Sequence, residues 1–170
     1  MRCAALLLLI AACALPAFAQ STDATKPLGT FVGRWEGSGT FYATAMSAAG
    51  SITSKTDCTW SPQANYLVCE QAITDEKGTH HQLTVYTASD DARNFTYDTI
   101  TSSAEPFTGT VKIDGHTWTY DNTFEQDGKK TEVRTVNTFT GDDENFKTEF
   151  SVDAGPWTTM LEGKSHRSKK

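Results

Sequence analysis

The stretch "FTGTVKIDGHTWTYDNTF", Phe107 to Phe124, sets two alternating runs about one tight-turn dipeptide. Before the turn, Phe107, Gly109, Val111 and Ile113 share one face, and Thr108, Thr110 and Lys112 share the other. After it, Trp118, Tyr120 and Phe124 alternate with Thr117, Thr119 and Asp121. A period of two puts successive side chains on opposite faces of a strand. Asp114-Gly115, between the runs, suits the positive φ that a two-residue hairpin turn demands. The stretch predicts an antiparallel hairpin with one buried face and one wet face.

The pattern continues in both directions. Strand-like runs fall near 34–44, 50–60, 65–74, 79–88, 92–100, 106–114, 116–125, 129–140, 144–152 and 156–164. Turn clusters such as Ser61-Pro62-Gln63, Glu76-Lys77-Gly78 and Asp153-Ala154-Gly155 separate them. A short helical turn is expected near Lys26–Val32, and no longer segment has helical periodicity. Short strands joined by tight turns, with no long crossover for a Greek key, predict an all-β fold. The expected architecture is a single antiparallel up-and-down barrel of about ten strands, closed so that no edge is left unpaired.

The N-terminus reads differently. "MRCAALLLLIAACALPAFAQ" has one charge, Arg2, then an apolar run, then Ala17-Phe18-Ala19 before Gln20. That is the pattern of a secretory signal peptide over residues 1–19, and the run is too short to span a bilayer. Ile10-Ala11-Ala12-Cys13 offers an alternative, a lipobox that would leave the chain anchored through a lipidated Cys13. The expected organisation is a signal peptide at 1–19, a flexible segment at 20–27, a barrel at 28–164 and a basic tail at 165–170. The expected location is secreted or periplasmic. Cleavage after Ala19 would leave 151 residues, with 14 basic side chains against 21 acidic ones. An acidic chain of this kind is poorly suited to nucleic acid or to anionic lipid, so neither is expected as a partner.

Two cysteines survive such cleavage, Cys58 and Cys69. In "TDCTWSPQANYLVCEQAI" a turn at Ser61–Asn65 separates two strand-like runs. Folding the chain back about the midpoint of residues 63 and 64 sets Trp60 opposite Leu67 and Cys58 opposite Cys69. Export to an oxidising compartment makes a disulfide the default for such a pair. A zinc or redox motif does not fit the spacing.

The first strand carries an oddity. "FVGRWEGSGTF", Phe31 to Phe41, puts Gly33, Gly37 and Gly39 beside Trp35. Glycine weakens a strand unless a bend or a close backbone approach requires it. A barrel's closing strand provides both, with Trp35 as the end plug and its indole N–H in need of a partner. G-x-W at this place is similar to the lipocalin signature, and G-x-W-x-G-x-G to the start of nitrobindin-like barrels. The chain resembles most a group of secreted bacterial proteins, domain-of-unknown-function family 1579. The resemblance is carried by "VGRWEGSG", "CTWSPQANYLVC" and "DAGPWTTMLEG" and covers roughly residues 28–164. It implies a calycin-like, lipocalin-like barrel and no assigned activity. Nitrobindin-like proteins hold haem through a histidine near the C-terminal end. The residue so placed here is His166, in a polar tail where solvation accounts for it, so no cofactor is expected.

Candidate sites are sparse. There is no nucleophile motif, and the four histidines lack ligand spacing for a metal. His80 and His81 must point to opposite faces. Because His81 shares its face with Leu83 and Val85, it is the one expected to point inward. The acidic turns Asp90-Asp91 and Asp142-Asp143-Glu144 read as solvated. The expected function is an exported, non-catalytic barrel that binds a small apolar or amphipathic ligand. Trp35, Trp60, His81, Trp118, Tyr120 and Trp157 are the candidate contacts. An enzyme with its site at the barrel mouth, or an interaction module with a filled barrel, are the alternatives. No sequence feature fixes the ligand or the oligomeric state.

Overall fold

The computed structural model describes residues 22–89, 93–102, 104–126 and 128–169. The expected signal peptide and Cys13 lie outside them. A single helical turn, α1 (Thr22–Thr25), runs into a 3-10 helix (Lys26–Phe31), at the place where a short helical turn is expected from the sequence. Ten strands follow: β1 (Gly33–Phe41), β2 (Gly50–Trp60), β3 (Tyr66–Asp75), β4 (Gly78–Ala88) and β5 (Asn94–Thr101), then β6 (Phe107–Asp114), β7 (Thr117–Gln126), β8 (Lys129–Thr140), β9 (Asp143–Val152) and β10 (Thr158–Arg167). Each pairs antiparallel with its sequence neighbour, and β1 pairs with β10 to close the barrel.

The sequence pattern explains the register. Asp114 pairs with Thr117 across the turn at Gly115, whose φ is +59°, and Ile113 then pairs with Trp118. Cys58 pairs with Cys69 and Trp60 with Leu67, as the fold-back about residues 63 and 64 requires. The two cysteines form a disulfide, with Cα atoms 4.1 Å apart. Such a bond is the product of an oxidising compartment. Among the described residues no helix is long and apolar enough to cross a membrane.

One expectation about the C-terminus is corrected. Ser165, His166 and Arg167 are not a frayed tail. They continue β10 and pair with Gly37, Glu36 and Trp35. Arg167 explains why the strand runs on. Its guanidinium lies 4.3 Å above the Trp35 ring, and it bonds Asp142 at 3.0 Å and the Thr30 carbonyl at 2.7 Å. A polar-looking terminus is thus tied to the end of the barrel by charge-assisted bonds and a cation–π contact.

That end is shut. Phe31, Trp35, Trp118 and Phe139 pack with ring centroids 5.4–5.8 Å apart, over Leu28 from the 3-10 helix. Trp35 is 2% exposed, and its indole N–H donates to the Phe31 carbonyl at 2.9 Å. The glycines of the opening motif find their reason at the closing seam. A Cβ on Gly39 would lie 3.2 Å from the Phe146 ring and 3.0 Å from the Glu162 carbonyl oxygen. One on Gly163, opposite Gly39, would collide with the same ring and with the Ser38 carbonyl. Bare backbone here lets Phe146 lie flat against β1 and β10.

Candidate functional site

Beyond the aromatic plug the barrel interior changes character. Its inward positions carry amides, hydroxyls and one carboxylate, around a cavity of about 330 Å³. The side chains satisfy one another in rows. Gln82 donates to Gln71 at 2.6 Å, and Gln71 to Thr56 at 2.9 Å. Thr84 and Thr99 are bonded at 2.9 Å, as are Thr135 and Thr148. Tyr97 and Asn122 meet at 2.9 Å, and the Tyr86 and Tyr120 hydroxyls at 3.4 Å. Toward the open end the wall becomes apolar, with Ile52, Ile73, Phe107, Phe146 and Leu161.

Glu144 is the charged member of this wall. It is the second residue of β9 and points inward because it shares the face of Phe146 and Thr148. It is 4% exposed. Asn137, on β8, donates to its carboxylate at 2.7 Å, and Ser165, on β10, donates a second bond. Burial pushes its carboxyl above the usual carboxylate range, and the two bonds pull partly back. Among the described residues it makes no ion pair with any lysine, arginine or histidine. Two nearby polar atoms are buried without a partner, the Asn137 amide oxygen and the Trp118 indole N–H. Burial also raises Tyr86, Tyr97 and Tyr120, so these phenols stay protonated at neutral pH.

A larger hollow of about 870 Å³ lies outside the barrel, across the outer faces of β1 to β5. Charged side chains from β1, β2 and β3 line it. Arg34 and Asp57 pair at 3.0 Å while both remain well exposed. Such pairs contribute little energy and bind nothing by themselves. The cavity inside the barrel, with its buried and incompletely satisfied polar groups, is the candidate site.

The residues singled out in the sequence are scattered. Tyr120 lines the cavity. Trp35 and Trp118 belong to the plug, and Trp60 packs half-buried against the same core. Trp157 is exposed in the β9–β10 connection, stacked on Arg134 at 4.7 Å. His81 is corrected outright. It is exposed on the outer face with Leu83 and Val85, while His80, Gln82, Thr84 and Tyr86 point inward. The assignment assumed that apolar residues mark the interior, and here polar ones do. Glu144 is corrected too. It was grouped with the solvated turn Asp142-Asp143, yet one step of two back from Phe146 would have placed it inside. Gln71, Gln82, Tyr86, Tyr97 and Asn137 went unseen for the same reason as His81.

No histidine lines the cavity among the described residues. His166 points outward from β10, bonded to Asp143 at 2.8 Å, and His80 sits 3.8 Å from Asp75 near the open end. The outward position of His166 does not fit axial ligation of a haem held inside. Among the described residues no cluster of three or more histidine, cysteine or carboxylate side chains is placed to hold a metal.

No protein-family model and no curated protein matches the chain. Solved structures do. Rv2717c from M. tuberculosis is similar over 86% of this chain and 98% of its own, at 14% identity and a TM-score of 0.62. The S-type phycobiliprotein lyase CPES from Guillardia theta is similar over 85% of this chain and 92% of its own, at 13% identity and a TM-score of 0.55. At such identities the likeness is one of fold, and by fold this chain is a calycin-like barrel.

Proposed function

We propose that the protein is an exported, non-catalytic binder of a small amphipathic molecule, held inside the barrel with its polar group deep and its apolar part toward the mouth. One observation carries this: a cavity of about 330 Å³ is polar at its inner end, around Glu144 and Asn137, and apolar at its outer end, around Ile52, Phe107 and Leu161. That volume lies at the small end of ligand pockets, about 300–1,000 Å³. A wholly apolar guest would leave the Asn137 amide oxygen without a partner and the Glu144 carboxylate with its two neutral donors only, at a cost of about 1–3 kcal/mol for a polar group so stranded. An amphipathic guest meets both ends.

Export is supported by the N-terminal pattern and by the Cys58–Cys69 bond. Kinship with domain-of-unknown-function family 1579 is part of the same proposal. It rests on the order of the "VGRWEGSG", "CTWSPQANYLVC" and "DAGPWTTMLEG" motifs. Glu144 is held by the neutral donors Asn137 and Ser165 and faces the cavity, an arrangement that supports binding of a group bringing charge or further donors.

The test is mass spectrometry of protein purified from its own compartment, intact and after denaturation. A small molecule released only on denaturation is expected, and it should be lost in the cavity-filling variant Thr135→Phe. Protein that carries nothing, and whose interior also excludes added amphiphiles, would mean the barrel is a filled module.

A further inference from the structure

The inner end of the cavity holds a charge without a counter-charge. Glu144 is 4% exposed and receives two bonds, from Asn137 and Ser165, both neutral donors. A buried carboxylate has room for about four acceptor contacts, and burying it is costly unless a cation or further donors complete it. The Asn137 amide shows the same deficit. Its N–H points to Glu144 at 2.7 Å, because the reverse orientation would set oxygen against carboxylate. Its oxygen is therefore turned elsewhere, buried and without a partner. On one wall, then, the Asn137 oxygen lacks a donor and the Glu144 carboxylate lacks a counter-charge. Tyr86 and Tyr120 complete the surroundings, close enough to feel the charge of Glu144. Their ring faces and hydroxyl oxygens are both compatible with a cation.

From this geometry we infer that the inner end of the cavity is a cation subsite that takes the ammonium group of a small primary amine, with Glu144 as counter-ion and the Asn137 oxygen as a second acceptor. The inference rests on the interior being a ligand site. An ammonium brings three N–H donors and one positive charge, which is what this wall lacks. A carboxylate ligand would oppose Glu144, and an alcohol would supply one donor and no charge. The outer apolar ring then takes the amine's hydrocarbon. The chain's net charge of −6 favours the approach of a cation from solvent.

The test is calorimetric titration of the purified protein at neutral pH with three probes of one chain length: n-hexylamine, hexan-1-ol and hexanoate. Hexylamine is charged there, as a lysine side chain is. It should bind at least about tenfold more tightly than hexanol, with hexanoate weakest. Glu144→Gln keeps an acceptor for Asn137 and Ser165. It should remove the preference for the amine while leaving hexanol binding in place. A second measurement uses the unaltered protein. Hexylamine affinity should fall as pH drops through the titration of Glu144, and hexanol affinity should not. The groups that face Glu144 are Asn137 and Ser165, which do not titrate, and Tyr86 and Tyr120, which stay neutral across that range. If hexanol binds as well as hexylamine, or hexanoate binds best, the ammonium assignment is wrong and the ligand cavity stands. If no probe binds, the ligand cavity fails and this inference fails with it.

Discussion

Trp35 can be removed in two steps, and the steps should cost different amounts. A tryptophan buries roughly 150–250 Å². At about 25 cal/mol per Å², that is about 4–6 kcal/mol of transfer free energy, an upper bound because the unfolded chain is not fully extended. Truncation to alanine also discards the indole bond to the Phe31 carbonyl, about 1 kcal/mol net. It removes the ring beneath Arg167 as well, about 0.5–1 kcal/mol. Collapse of Phe31 and Phe139 toward the gap recovers part. Trp35→Ala should therefore destabilise the fold by about 3–5 kcal/mol. Trp35→Phe keeps a ring against Phe31 and Phe139 and loses mainly the N–H donor and part of the volume. It should cost about 1–2 kcal/mol. Urea unfolding followed by far-UV circular dichroism reads both, since the signal is independent of the lost fluorophore. A loss below about 1 kcal/mol for Trp35→Ala would refute the role of this residue as the plug.

Two further predictions follow from the hairpin and the cavity. Exported protein, processed after Ala19 so that Cys3 and Cys13 are gone, should show no free thiol when denatured without reductant. The double variant Cys58→Ala/Cys69→Ala should unfold at a stability about 2–3 kcal/mol lower, and no change would argue against a structural bond. Glu144 should make stability fall with rising pH. Its native carboxyl titrates above the ordinary 4.5, so the unfolded chain releases its proton first and the native state holds the extra proton. The contribution is present below that ordinary value and is lost between it and the raised native one. The stability of Glu144→Gln relative to the parent should therefore rise across that window and then level off. A relative stability that falls with pH would reverse the assigned environment.

The strand pattern was legible because alternation does not depend on which face is buried. All ten strands lie within a few residues of their expected places, and the Cys58–Cys69 register follows from the turn alone. The side facing inward was legible where it is apolar, as for Val111, Ile113, Trp118 and Phe146. It was misread on β4, where Gln82, Thr84 and Tyr86 face the cavity and Leu83 and Val85 the outside. A polar cavity inverts the rule that places apolar groups inside, so the wall of the candidate site is the part that hydrophobic pattern hides. Ile100, 59% exposed on the outer face, shows the same inversion from the other side. Glu144 escaped because it adjoins an acidic turn. Arg167 escaped because its partners, Trp35 and Asp142, come from distant parts of the chain.

The seam between β1 and β10 has a consequence for how the molecule is made. Nine of the ten strand pairings join neighbours in sequence, and each can form as soon as its hairpin has been synthesised. The tenth, from Trp35–Arg167 to Phe41–Leu161, cannot form until the last strand has emerged. Throughout elongation the growing sheet therefore carries two live edges, β1 at one side and the newest strand at the other. Exposed edges of this kind recruit other chains. Completion hangs on β10, which also brings Arg167 to the plug. A nascent chain stalled before Thr158 would be a nine-stranded open sheet with a pairing site on each flank, and a substrate for chaperones or proteases instead of a smaller working barrel.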